Sequence, residues 1–239
     1  MFSEVFLAMT GAEIAQYAPK RAAYMACHFS AYGCGLSNPP ERLPEGSLLL
    51  LDDSTPIAGH DPQTVADQLN SLAEIFPLKA ILLDFQRPPN VHARRMAETL
   101  LQAVSAPVAV TENYCRDLDC PVFLGPPPVN KSLHAHLLPY TKRGVYLEIA
   151  PESRRFTITA TGSHKSVLPR AAPPLPLYDE KLMCHYRVEV STDRAVFTLS
   201  RTQEDLGALT RQAYELGVLG VVGLYQELSE TPIEKPPAT

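Results

Sequence analysis

The sequence predicts an α/β protein, a single irregular (β/α)8 TIM-like barrel, on three observations. Short apolar, strand-like runs recur at eight places along the 239 residues. Amphipathic stretches of helical length stand between several of them. One run, within KAILLDFQRP, is wholly apolar from Ala80 to Leu83 and stops abruptly on Asp84. Such a run is typical of a strand buried on both faces of a parallel sheet. Alternating strands and helices imply right-handed crossovers between parallel neighbours, and eight parallel strands are the number that closes a barrel.

Taken in order, residues 1–20 show weak helical periodicity, and the strand-like runs begin at Tyr24–Phe29. Ser47–Leu51, Ala80–Asp84, Pro107–Thr111 and Pro121–Leu124 follow as strands two to five. Val145–Ile149, Val196–Leu199 and Val221–Tyr225 complete the eight. The helical stretches are DPQTVADQLNSLAEIF, NVHARRMAETLLQAV, NKSLHAHLLPYTK and RTQEDLGALTRQAYELG. Asp61 is a natural N-cap with Pro62 at the first helical position, and Gly217 closes the last helix. Two crossovers depart from the pattern. YGCGLSNPPERLPEG is too rich in glycine and proline for a helix, and Thr111 to Pro121 has room only for a short one. From Arg143 to Arg201 the chain turns β-rich, with two hairpins, VYLEIAPESRRFTITATG and YRVEVSTDRAVFTLS, joined by LPRAAPPLPLYDE. These read as elaborations of strands six and seven; a separate small β domain is the alternative. The organisation expected is one barrel over 1–230, including 143–201, with a proline-rich tail at 231–239.

Composition narrows the function classes. A net charge of −5 gives no electrostatic reason to bind nucleic acid or an anionic membrane. No apolar segment approaches the length of a spanning helix. The five cysteines, Cys27, Cys34, Cys115, Cys120 and Cys184, are odd in number and irregularly spaced, and MFSEVFLAMTGAEI lacks a basic region. Reduced thiols and a cytoplasmic setting are the expectation. The 23 prolines cluster in loops and in the tail.

In a parallel barrel, site residues gather at strand carboxyl ends, where the loops converge on one mouth. Applied here, the rule selects His28 and Ser30, Asp52 and Asp53, Asp84, Gln86 and Arg87, and Glu112 and Asn113. Later in the chain it adds Glu148, Arg201, Tyr225, Gln226 and Glu227. Carboxylates around one mouth are the raw material of acid and base catalysis. Asp84, Glu112 and Glu148 are the catalytic candidates; His28, Asp52, Gln86, Arg87, Asn113, Tyr225 and Gln226 are the ligand-binding candidates. Other motifs carry less. The Cys and His spacings lack the paired short intervals of a structural zinc site, so neither metal nor cofactor is expected. Gly33-Cys34-Gly35 is too short for a phosphate loop, no nucleophile elbow surrounds Ser163, and His134 and His136 point apart on a helix. His60 lies just before a helix start.

The run LLDFQRP resembles the strand-end signature of the chitinase and endo-β-N-acetylglucosaminidase family, Asp-x-x-Asp-x-Asp-x-Glu followed by an aromatic residue and proline. In that family the final Glu protonates the glycosidic oxygen, and the Asp two residues earlier assists the substrate's acetamido group. The resemblance implies a (β/α)8 glycosidase barrel. It aligns Asp84 with the last Asp, Gln86 with the acid and Pro88 with the trailing proline. Leu82 and Lys79 stand where the earlier Asp residues belong, and Gln86 has no carboxylic acid to donate.

Three functions follow as expectations. The first is a glycosidase-related barrel binding a small polar or sugar-like ligand, with a carboxylate such as Glu112 or Glu148 replacing the missing Glu. The second is a catalytically inactive barrel kept as a binding or interaction module. The third is a barrel enzyme for a phosphorylated metabolite, resting on Arg201 and the helix start after it. Oligomeric state is not legible.

Overall fold

The computed structural model describes residues 5–33, 35–116, 118–168 and 175–228. The chain runs β1 (Val5–Met9), α1 (Gly11–Tyr17), β2 (Ala22–Phe29), β3 (Leu36–Ser37), β4 (Leu48–Asp52), α2 (Pro62–Ile75) and β5 (Ala80–Asp84). It continues through α3 (Val91–Ala103), β6 (Val108–Thr111), β7 (Val122–Leu124), α4 (Leu133–Leu137) and β8 (Val145–Glu148). Five strands follow: β9 (Glu152–Thr159), β10 (Gly162–Val167), β11 (Leu177–Asp179), β12 (Cys184–Val190) and β13 (Arg194–Arg201). The last elements are α5 (Gln203–Glu215), β14 (Gly220–Leu224) and α6 (Tyr225–Leu228).

Eight of these strands form a closed parallel barrel in the order β1, β2, β4, β5, β6, β7, β8, β14, because β1 pairs with both β2 and β14. β3 adds an antiparallel hairpin to β2. Strand alternation separates two apolar layers. Inward residues such as Phe6, Leu48, Leu50, Leu82, Phe123 and Tyr146 fill the barrel interior. Outward residues such as Leu49, Leu51, Ile81 and Leu83 pack against Val65 and Leu69 of α2, Met96 and Leu100 of α3, and Leu206 and Leu209 of α5. Truncating a side chain such as Leu82 to alanine would cost about 2–5 kcal/mol. Gly220 shows how tightly the interior is filled. A Cβ there would lie 2.8 Å from the Phe6 ring.

The helices start where their caps dictate. Asp61 accepts the Thr64 N–H at 2.9 Å with Pro62 following, and Asn90 accepts the His92 and Ala93 N–H groups. Thr202 and Asp205 form the capping box of α5, and Gly217, at φ +82°, lets the chain leave that helix.

Two strand assignments differ from the sequence reading. The first barrel strand is Val5–Met9, inside the segment read as weakly helical. Its five residues run almost directly into α1, so the two periods blur within one window. Val196–Leu199, read as the seventh barrel strand, lies instead in β13 of a second sheet. It pairs antiparallel with β9 and β12, and its burial deepens steadily from Arg194 towards Arg201. The strands read as one to six therefore become the second to seventh of the barrel, ending on β8, while β14 remains the eighth. The connection from Thr111 to Pro121 contains turns and no helix among the described residues.

The β-rich region between β8 and α5 contains the second predicted hairpin as β12–β13, whereas the first, read over 145–162, is replaced: its leading strand is β8 of the barrel, and β9 pairs with β10 instead. Pairing of β9 with β13 joins the two hairpins into one five-stranded antiparallel sheet, ordered β10, β9, β13, β12, β11. Its root is bolted to the loop after β7. Val129 donates its N–H to Glu152 at 2.6 Å and packs beside Cys184 and Leu199. Arg201, 1% exposed, donates to the carbonyls of Pro127 at 2.6 Å, Leu182 at 3.0 Å and Met183 at 3.4 Å. Its guanidinium is thereby committed to backbone, so it is not the anion-binding cation that the phosphate reading needed. Pro173, Pro174 and the 231–239 tail lie outside the described residues.

Candidate functional site at the barrel mouth

On β4, β5 and β8 the inward positions end in a carboxylate at the mouth. Leu48 and Leu50 face inward, so alternation turns Asp52 inward too; Ala80 and Leu82 do the same for Asp84, and Tyr146 for Glu148. Register sets His28 beside Asp52 and Asp52 beside Asp84. Three half-buried carboxylates thus stand just above an apolar interior, where the charged form is costly.

Their protonation reflects that environment. Burial pushes the Glu148 carboxyl up to about 7, and the charge of Asp84 adds to the effect. Asp84 is also raised, first by burial and then by Asp52 and Asp53, while a hydrogen bond from the Gln86 amide opposes the shift. Burial, followed by Asp52, pushes the Cys27 thiol up to about 12, so Cys27 is an inert core thiol.

The loop after β5 is held from several directions. Asp53, 2% exposed, accepts the main-chain N–H of Gln86 at 2.8 Å and of Arg87 at 3.1 Å. The Thr111 hydroxyl donates to the Phe85 carbonyl, and the Tyr114 hydroxyl to the Arg87 carbonyl, each at 3.0 Å. The Phe85 ring packs between Phe29 and Tyr114, with centroids 5.9 and 5.5 Å away. Gln86 is consequently fixed with its amide on Asp84. Asp53 was legible as a strand-end carboxylate, but its bonds to a loop 33 residues downstream were not. Thr111 and Tyr114 carried no signal at all.

The other candidates fall into two groups. His28 sits in the row with Asp52, its Nδ1 3.1 Å from the Ala26 carbonyl. Arg87 reaches back to the Ser54 carbonyl. Elsewhere on the rim, Glu112 and Asn113 are exposed in a turn, and the Glu112 carboxylate accepts the Tyr140 hydroxyl at 3.0 Å. Burial and this carboxylate push the Tyr140 hydroxyl up to about 12. Tyr225 stacks on Tyr17 at 4.7 Å, and Gln226 donates to Glu13 of α1. The residues brought together at one place are Asp52, Asp84, Gln86 and Glu148. Among the described residues, no three His, Cys, Asp or Glu side chains are grouped to hold a metal ion, and no helix is long and apolar enough to cross a membrane.

No protein-family model matches the chain, and no curated protein matches its sequence. Solved structures share its architecture. A chitinase from Chromobacterium violaceum superposes with TM-score 0.54 at 11% identity, covering 98% of this chain and 100% of that one. A family GH18 chitinase from Cycas revoluta in complex with allosamidin gives 0.55 at 9% identity, covering 94% and 95%. The Bacillus cereus spore cortex-lytic enzyme SleL gives 0.52 at 11%, covering 95% and 74%. At these identities the likeness is one of fold. It is consistent with the chitinase-type resemblance read from LLDFQRP: the chain has a (β/α)8 barrel, the fold of these chitinases.

Proposed function

We propose that this barrel binds a small sugar-like ligand at its mouth and acts on it as a carboxylate-dependent hydrolase, with Glu148 as acid and Asp84 as its anionic partner. The observation that carries the reading is the carboxyl of Glu148, raised to about 7 and electrostatically coupled to Asp84. A carboxylic acid that keeps its proton near neutrality beside a carboxylate is the division of labour that glycosidic cleavage requires. Glu148 would protonate the leaving oxygen while Asp84 stabilises positive charge developing at the anomeric carbon. The Gln86 amide supports this role by donating to the ionised form of Asp84. The barrel likeness to chitinases supports the substrate class through fold alone.

A panel of chromogenic glycosides tests the reading. Turnover that disappears in both Asp84→Asn and Glu148→Gln, with the fold intact by circular dichroism, supports it; turnover unaffected by either rejects it. Gln86 favours one rival, a binding module without catalysis, because an amide stands where the resembling family keeps its proton donor. Saturable binding of chito-oligosaccharide by calorimetry with no hydrolysis after prolonged incubation would decide for the module.

A further inference from the structure

We infer that the polar face of the second sheet binds an anionic polysaccharide, holding a sulfate or phosphate ester between Arg155 and Arg187 over the Thr198 hydroxyl. The pairing registers set Ser166, Arg155, Thr198 and Arg187 side by side across β10, β9, β13 and β12. Directly paired residues project from the same face, so the two arginines stand on either side of Thr198, about 10 Å apart at two strand spacings. That gap lets two guanidinium forks converge on one tetrahedral oxyanion. Both arginines are exposed. Among the described residues the Arg155 guanidinium has no partner, and Arg187 meets only Glu189, at 4.0 Å. Thr198 is 9% exposed, and its hydroxyl bonds to no group among the described residues.

Two like charges so placed repel, and an unbonded, largely buried hydroxyl forfeits a hydrogen bond; one oxyanion removes both costs. The carboxylates of this face do not fill that place. Glu189 lies in the next row outward, opposite Val196, and Asp205, below the row nearer the barrel, is taken up by His185 at 3.3 Å and by the Thr202 cap. The adjoining surface argues for a sugar as the carrier of the ester. Thr157 follows Arg155 on the same face of β9. With Thr159, Thr161, Ser163 and His164 it lines a cavity of about 230 Å³. The Thr157 and Ser163 hydroxyls bond to no group among the described residues. Short hydroxyls both donate and accept, as the hydroxyls of a sugar ring require. The cavity presents no aromatic ring on which a nucleobase could stack. The surface includes none of Asp52, Asp84, Gln86 or Glu148, so it binds without acting on what it holds.

Calorimetric titration of the full chain with dextran sulfate at low salt, where exposed charges are little screened, tests this. Wild type should bind it saturably and ignore unsulfated dextran, and inorganic phosphate should displace it. Arg155→Ala and Arg187→Ala should each weaken binding roughly 10–100-fold, the worth of a hydrogen bond to a charged group. Arg194→Ala, on the same face but outside the row, should leave the affinity unchanged. All three positions are exposed, so each variant should keep the circular dichroism of wild type. Thr157→Val should weaken binding of dextran sulfate and leave that of inorganic phosphate as it was. A wild-type chain that shows no saturable binding overturns the inference. So does binding that survives both Arg155→Ala and Arg187→Ala, that Arg194→Ala weakens equally, that Thr157→Val leaves intact, or that inorganic phosphate fails to displace.

Discussion

Asp53 accepts the main-chain N–H of Gln86 at 2.8 Å, and that bond orients the side-chain amide which Gln86 donates to Asp84. A buried carboxylate at the end of one barrel strand therefore sets the geometry at the end of the next. The site is preorganised by backbone capture instead of by side-chain packing alone.

Asp53→Ala should free the Phe85–Arg87 loop and leave two amide donors without their acceptor. Hydrogen bonds to a charged group contribute about 1.5–3 kcal/mol each, so urea unfolding should show a loss of roughly 2–4 kcal/mol. Asp53→Asn, which keeps one carbonyl oxygen, should lose less. Equal stability of wild type and Asp53→Ala would remove the loop-holding role.

Glu148 makes stability depend on pH with a definite sign. Its folded value, about 7, lies above the ordinary 4.5, so between these values the folded chain binds more protons than the unfolded one. The contribution of this group therefore falls as pH rises from 4.5 to 7 and is level outside that window. Glu148→Gln removes the penalty. Relative to wild type, the variant should gain up to about 3 kcal/mol at pH 8 and little at pH 4. A difference that does not change between these two pH values would contradict the buried, proton-retaining carboxyl.

The same group predicts the form of an activity profile under the proposed hydrolase. If Glu148 is the acid, kcat/KM on a chromogenic glycoside should decline above pH 7 as its proton is lost. Glu148→Gln and Asp84→Asn should each lower kcat by about 10²–10⁴-fold. A profile flat through pH 7 to 9 would assign the proton donor elsewhere.

Arg201→Met should loosen the second sheet from the barrel. The substitution keeps much of the stem but leaves the carbonyls of Pro127, Leu182 and Met183 without their donor. Each buried carbonyl left unsatisfied costs about 1–3 kcal/mol. Limited proteolysis should then cut within 152–201 before the barrel strands. Unchanged cleavage kinetics would show that the guanidinium is dispensable.

The local features of the site were legible because they are written in neighbouring residues. LLLLD and AILLD each announce a doubly buried strand and end on the Asp that alternation then turns inward. Asp61 and Pro62 announce the start of α2 in the same way. Glu112 was read as a partner for Asp84 because strand order made it near; one residue of alternation gave the inward position to Thr111 and left Glu112 with Tyr140.

By itself, the sequence determined the fold class, most of the strands and helices, and the positions of Asp52, Asp84, Gln86 and Glu148 at strand ends. Periodicity, capping and residue polarity are short-range properties, and they suffice for that. The tertiary structure alone decided that Val5–Met9 closes the barrel against Gly220–Leu224, that two hairpins merge into one sheet, and that Asp53 holds Gln86. These are pairings between residues far apart in the chain. Any apolar run has the local propensity to be the partner strand, and only simultaneous satisfaction of hydrogen bonds, burial and packing selects one.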